Sequence, residues 1–495
     1  MKRKFLNQII AVGATVAMVA SLAGCGGQTG EDAPEVTDPG TQTADPGTQT
    51  ADPVADPVEE SPYEIITDAD GNPIDLGGME VVIRDWWSSG EVAAPTNDYE
   101  EARQDYRDWA METYNFTIKE VAISDWGTTP QDFVDYVTTG GDDNNYVFTL
   151  RTDPATSSAL AQGLMYDLAT LDCLDFDHNP IFTRNQIDEV WSNGDSIYCM
   201  HGNDAGYPEV RQGLFFNKRV LEDAGIDPES IYDMQANGTW TWDAWIALMD
   251  QVQRDIDNDG TIDVYGMTEN YGDVVRSMIL SNGGQIVALE DDGKYRLALE
   301  DANTQEALTK VQELIDTYDA HVSYASDAQW DYYMTDFMSG NVAFTCGQGY
   351  MADGQYKDME DDFGFVSFPV GPSAGSNYKS YGSDNLYAIP ACYDADKAWK
   401  IAFAYATYMA EVPGYEDYQG WTSRWYAAMR DTRAVDETCY RILDTTTYDV
   451  AEQVPQLDEG SQFLWNIYVG SDMAAAVEGA KTAWTTYIDD ANASR

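Results

Sequence analysis

The stretch 79–150 restricts the fold more than any other part of the chain. Met79-Glu-Val-Val-Ile-Arg-Asp85 is β-rich and apolar and follows Gly77-Gly78, so it predicts a buried strand. Ala102, Tyr106, Trp109 and Ala110 recur at helical spacing and predict a helix over 99–114. Phe116, Ile118, Val121 and Ile123 predict a second strand over 116–123, with one break in its alternation. Pro130 opens a short helix over 131–137, and 146–150 is a third strand. Strand–helix–strand–helix–strand predicts βαβ units and a mostly parallel sheet, hence an α/β fold. In such sheets ligands sit beyond the carboxyl ends of the strands.

At 495 residues the chain is too long for one core, so two or three domains are expected. Residues 155–171 read as a helix. Segments 196–199 and 213–216 read as a pair of short strands, and 218–224 as a helix ended by Gly225. Thr241 is placed to cap a helix on which Trp242, Trp245 and Leu248 share a face, and these two tryptophans are assigned to the core. Residues 288–299 read as a hairpin turning at Asp291-Asp292-Gly293, and 304–318 as a helix. Segments 363–370 and 387–390 are strand-like, 395–409 is an amphipathic helix, and 462–466 and 474–488 are helical.

The N-terminus reads as an address. Lys2, Arg3 and Lys4 precede an apolar stretch over 9–22, and Leu22-Ala23-Gly24-Cys25 closes it. This is the order of a secretory signal ending at a lipoprotein box, with residues 1–24 removed and Cys25 lipidated. The apolar run is short for a membrane span of about 20 residues. Residues 26–62 hold no aromatic, Leu, Ile, Lys or Arg, and Asp-Pro-Gly-Thr-Gln-Thr-Ala occurs at 38–44 and 45–51. Proline and the lack of apolar residues predict an acidic, extended tether over 25–62. The expected location is the outer face of the cell membrane, held there by lipid.

The 86 Asp and Glu against 27 Lys and Arg leave a formal charge of −59, which repels phosphate backbones and argues against a nucleic-acid partner. Beyond Cys25 there are Cys173, Cys199, Cys346, Cys392 and Cys439, an odd number without zinc or CxxC spacing, expected mostly as buried free thiols. Asp255, Asp257, Asp259 and Asp263 match positions 1, 3, 5 and 9 of a calcium loop, with Gly260 at the turn and the Thr261 carbonyl at position 7. Position 12 is Gly266 instead of Glu, which removes the bidentate ligand; a structural calcium ion and a plain acidic turn are the two readings. Gly371-Pro-Ser373-Ala-Gly375 matches a nucleophile-elbow pattern, but no helix start follows it and no His follows His321.

Three ordered segments then carry a family resemblance. Gly213-Leu-Phe-Phe-Asn-Lys218 leads into a helix ending Ala-Gly225-Ile-Asp-Pro228; Thr239-Trp-Thr-Trp-Asp243 starts the next helix; and Asp255 to Gly266 follows. Phe337-Met-Ser-Gly-Asn-Val-Ala-Phe344 and Tyr387-Ala-Ile-Pro390 come later. This order resembles the extracellular solute-binding proteins of carbohydrate ABC importers, over most of 79–490. Phe216 stands where that family usually has Tyr. The resemblance implies a two-lobed periplasmic-binding-protein-like clamp with a hinge, closing on a sugar for an ABC permease without catalysis. It implies crossings between lobes near 200–212, 343–347 and 410–415. One lobe would hold 63–203 and 347–412, the other 204–346 and 413–495.

Sugars present C–H faces to aromatic planes and hydroxyl edges to polar side chains. Residues just after strand ends are therefore the ligand candidates: Asp85, Trp86 and Trp87; Arg151 and Asp153; Tyr207, Glu209 and Arg211; Tyr271 and Arg276; Gln348 and Tyr350; Tyr381 and Asp384; and, towards the C-terminus, Trp421, Trp425 and Trp465. The expected cargo is an oligosaccharide. The alternatives are a secreted carbohydrate-active enzyme and a cell-surface glycan-binding adhesin.

Overall fold

A computed structural model describes residues 61–176, 192–193, 195–201, 209–320, 331–382, 385–415, 421–468 and 472–493. The chain divides into Met1–Glu60 and Ser61–Arg495. The signal sequence, Cys25 and the tether up to residue 60 lie outside the described residues. Among the described residues no helix is long and apolar enough to cross a membrane.

Ser61–Arg495 is built on two sheets. Across the first, the strands run Phe116–Ala122, Met79–Asp85, Asn145–Leu150, Leu386–Ala388 and Met200–His201. The first three are parallel, with Met79 opposite Phe116 and Ile83 opposite Val147. Leu386–Ala388 runs antiparallel to its neighbours on either side. Val81, Val82 and Ile83 are consecutive and all buried, as a strand covered on both faces requires. Helices Asp98–Thr113, Thr129–Thr138 and Ala395–Tyr408 belong to this half, and Tyr114 packs edge-on against Phe403 with centroids 5.1 Å apart.

The second sheet runs Phe363–Val366, Gln212–Asn217, Val342–Gln348 and Tyr265–Met267. Its core includes Trp240, Trp242 and Trp245, as the helical spacing of the last two requires. Phe216 is fully buried, 5.4 Å from the Tyr232 ring, and its lack of a hydroxyl leaves no polar atom to satisfy. Opposite it in the ladder is Gly364, where a Cβ would lie 2.0 Å from the Phe216 Cζ. The absent side chain makes room for the ring.

Four readings of the sequence are corrected here. Gln212–Asn217 pairs with Val342–Gln348 and Phe363–Val366, whereas Ser196–Ile197 pairs with Ser192–Asn193, so 196–199 and 213–216 are not partners. The helix expected over 155–171 is Pro154–Ala161 followed by a short 3₁₀ turn, Leu168–Thr170, because Gly163 adopts a φ of +68° that reverses the chain. Val342–Gln348 keeps its pairing to Gln212 through its last residue, and Phe363–Val366 lies in the same sheet, so residues 347–366 belong with the second half. The chain regains the first sheet only at Leu386–Ala388, not near 343–347. Of the expected strand over 387–390 only the start lies in Leu386–Ala388; Pro390 instead forms an isolated antiparallel bridge with Met165. The hairpin turning at 291–293 forms, with Val287–Leu289 antiparallel to Tyr295–Leu297.

Candidate functional site

Leu150 ends the central strand of the first sheet, and Arg151 and Asp153 follow directly. Asp153 caps the helix Pro154–Ala161: its Oδ1 accepts from the Ala155 N–H at 2.8 Å, and Pro154 at the first position needs no donor. Its Oδ2 pairs with Arg151 Nη2 at 2.7 Å. The Arg151 guanidinium lies 4.1 Å over the Trp126 ring and its Nε donates to the Trp126 carbonyl at 2.8 Å. Trp126 is 60% exposed.

The facing wall comes from the second half. Asn270 caps the helix Tyr271–Ser281, accepting from Gly272 and Asp273 N–H groups at 2.9 and 3.3 Å. Three residues apart on that helix, Asp273 and Arg276 share a face. Arg276 sits 4.3 Å over the Tyr381 ring. Its guanidinium pairs closely with Glu459 and lies 3.9 Å from Glu452 and 4.0 Å from Asp449. The Tyr381 hydroxyl donates to Glu452, and the Asp449 carboxylate accepts from the Ala451 N–H at 3.0 Å.

Between these walls is a cavity of about 440 Å³, lined by Trp126, Arg151, Thr152 and Asp153 on one side and by Asp273, Arg276, Tyr381, Glu452 and Glu459 on the other. It opens beyond the carboxyl end of Asn145–Leu150, where an α/β sheet places its ligands. A second hollow of about 440 Å³ lies under residues 88–96. Its polar groups are already engaged: Arg107 Nε donates to the Tyr408 carbonyl at 2.9 Å, Lys119 pairs with Glu80 at 2.9 Å, and Glu100 accepts from Thr96 at 2.7 Å. The first cavity, walled from both halves, is the better ligand site.

Its electrostatics are dominated by burial. Burial pushes Glu452 up to about 7, with Arg276 opposing and Glu459 adding. Burial raises Asp449 well above the usual carboxylate range, Glu459 adding and Arg276 opposing. Asp273 is also raised by burial, against the pull of Arg276 and a hydrogen bond from Gln212. Burial disfavours the Arg276 charge, but Glu459, Tyr381, Glu452 and Asp449 together outweigh it and hold the guanidinium well above its ordinary range.

The structure brings Arg151, Asp153, Arg276 and Tyr381 together in this cavity. Other candidates fall elsewhere. Asp85 is buried, and its carboxylate accepts from the Trp87 and Ser88 N–H groups at 3.2 and 3.1 Å and from the Ser88 hydroxyl, so it holds the turn after its strand. Trp86 and Trp87 meet edge-on at 4.9 Å; Trp87 is exposed and neither lines the cavity. Arg211 is buried and pairs with the exposed Glu209 at 2.5 Å. Gln348 ends its strand opposite Gln212, and Tyr350 is exposed just beyond. Trp425 is a core residue, and half-buried Trp465 packs on the same core. Tyr271 and Trp421 begin helices, Tyr271–Ser281 and Trp421–Met429. Tyr207 and Asp384 lie outside the described residues.

Trp126, Asp273, Glu452 and Glu459 were missed by sequence reasoning. Trp126 lies in a loop three residues beyond the second strand's expected end, the position that singled out the other candidates, and was open to the same logic. The three acids had no distinguishing signal among 86.

Away from the cleft, Asp255, Asp257 and Asp263 bring carboxylate oxygens within 4.8 Å of one another. The loop is held by its own side chains: Asp255 accepts from Asn258 and Gly260 N–H groups at 2.7 and 2.8 Å, and Asp263 from Ile256 at 2.7 Å. Asp259 turns its Oδ1 to the Thr261 N–H at 2.7 Å. Ser373 lies in a turn, its hydroxyl donating to Glu306 at 2.8 Å, and does not open a helix. All five cysteines beyond Cys25 are free thiols, three of them buried.

A scan against protein-family models finds no match, and a comparison with curated proteins finds none either. Solved structures match over nearly their whole length. The acarbose-binding GacH receptor of Streptomyces glaucescens is similar at TM-score 0.55 and 15% identity, covering 83% of this chain and 99% of its own. Lmo0181 of Listeria monocytogenes, an ABC substrate-binding protein solved with cycloalternan, is similar at TM-score 0.53 and 15% identity, covering 84% and 97%. UgpB of Mycobacterium tuberculosis, solved with glycerophosphocholine, is similar at TM-score 0.56 and 16% identity, covering 79% and 95%. The body has the fold of an ABC-transporter solute-binding protein. The 440 Å³ cavity lies where residues from the two sheet-bearing halves of the chain meet.

Proposed function

We propose that this chain is a substrate-binding protein that captures an oligosaccharide for an ABC permease and releases it unaltered. The cavity walled by residues from both sheets carries this reading, since a ligand there contacts both halves at once and favours their closure. An exposed tryptophan, two arginines and a set of carboxylates match the faces and edges of a sugar ring. The lipoprotein box and acidic tether support attachment to the outer face of the membrane through lipid on Cys25.

Calorimetric titration against oligosaccharides of different linkage, with product analysis, tests the reading. Saturable binding with the sugar recovered intact is expected. A cleaved sugar would replace transport by hydrolysis, and binding only to insoluble glycans would indicate an adhesin.

The 255–263 loop supports a structural calcium site. Three convergent carboxylates and the Thr261 carbonyl are hard oxygen donors of the right kind. Calcium there would tie the loop together and take no part in ligand capture.

A further inference from the structure

We propose that the cleft prefers a ligand carrying positive charge, an ammonium group on a sugar ring, over a neutral sugar. This rests on the cleft being the sugar site and names the substrate class it would take.

Arg151 and Arg276 line the cavity against Asp153, Asp273, Glu452, Asp458 and Glu459. Arg151 is matched by Asp153. Among the described residues the cation paired with Glu452, Glu459 and Asp449 is Arg276, and the side chains of these three acids are 6%, 6% and 3% exposed. One oxygen each of Glu452, Glu459 and Asp449 is buried without a hydrogen-bond partner. Buried acceptors left unpaired are costly, and buried carboxylates without a counter-charge more so. A single guanidinium faces three acids, and burial first, with the neighbouring Glu459 adding, raises the titration of Glu452 and Asp449.

Ligand chemistry follows from the spacing. A divalent metal ion needs several oxygens converging to about 2.3–2.6 Å. Among the described residues only Asp255, Asp257 and Asp263 bring three carboxylates within 4.8 Å of one another, so the cleft acids are spread too widely for a metal. An ammonium group fits better. It has donors and no acceptor, and its charge favours the ionised form of acids whose charge burial disfavours. A neutral hydroxyl supplies the donor without the charge. The exposed Trp126 at the rim adds an aromatic surface that attracts cations. The formal charge of −59 raises the local concentration of cationic ligands.

The test compares matched sugars on the full-length chain by calorimetry at pH 7.0. Glucosamine and galactosamine and their short oligomers are each titrated beside the N-acetylated and the unsubstituted counterpart. The amine form is expected to bind at least tenfold more tightly, and Glu459→Gln to lower the ratio of amine to neutral-sugar affinity several-fold. Neutral counterparts binding equally well or better would overturn the charge inference and leave sugar capture standing. Absence of binding by every sugar in the set would overturn both. If the Glu459→Gln variant fails to fold, as judged by circular dichroism, the matched-ligand comparison on the unaltered chain decides alone.

Discussion

Replacing Arg276 by Met removes the cation around which the floor of the cleft is organised. Asp449, Glu452 and Glu459 stay behind, with side chains 3%, 6% and 6% exposed, and the Tyr381 ring loses the guanidinium 4.3 Å above it. Breaking a buried pair by removing one partner costs about 3–5 kcal/mol. Proton uptake by one of the three acids relieves part of that cost and moves it to the low end of the range. Glu452 already titrates at about 7, so neutralising it at pH 7.5 requires under about 1 kcal/mol, at 1.36 kcal/mol per unit. A loss of about 3 kcal/mol at pH 7.5 is therefore expected. The sign of its pH dependence follows from burial. Glu452, raised to about 7 in the folded state, binds more protons there than in the unfolded chain between roughly pH 4.5 and 7, so stability rises as pH falls through that window, and the raised Asp449 acts in the same direction. The penalty for Arg276→Met should shrink at pH 5.5. Urea unfolding of both proteins at pH 7.5 and 5.5, followed by tryptophan fluorescence and circular dichroism, measures it. A loss below about 1 kcal/mol at pH 7.5, or one that does not diminish at pH 5.5, would refute the electrostatic account.

Three further outcomes are expected. Trp126→Ala should weaken ligand binding by about 1–2 kcal/mol in calorimetry while lowering stability by less than about 1 kcal/mol, because the ring is mostly exposed and its fixed partner is the Arg151 guanidinium. Gly364→Ala should destabilise by at least about 1–3 kcal/mol in a thermal melt, since its Cβ would lie 2.0 Å from the Phe216 ring; an unchanged midpoint would mean that ring can move aside. Calcium at millimolar concentration should raise the melting temperature of the unaltered chain, and Asp263→Asn should abolish the rise while leaving sugar affinity alone.

Much of the fold was legible because it is written in local patterns. Strand Met79–Asp85 follows from a continuous apolar run after two glycines, and helix Ala302–Tyr318 from apolar residues at helical spacing. Thr241 caps its helix where a hydroxyl meets an otherwise orphaned N–H, another local event. The misreadings came where the decision was not local. Nothing in Phe363–Val366 shows that it joins the second sheet, because an edge strand takes the partner that the rest of the chain leaves open. The same holds for the site. Arg151 and Asp153 were found because they follow a strand, a relation visible in sequence. Glu452 and Glu459 became part of the cleft only by meeting Arg276 from more than 170 residues away, one of them across 183 positions.

The sequence by itself determined the elements, the α/β class and the strand-end residues, since each rests on spacings of a few residues and on the chemistry of single side chains. Which acids face Arg276 was decided by the tertiary structure alone. Burial raises the titration of a carboxylate that would be ordinary in solvent among 86, and only the packing of distant segments decides which carboxylates are buried.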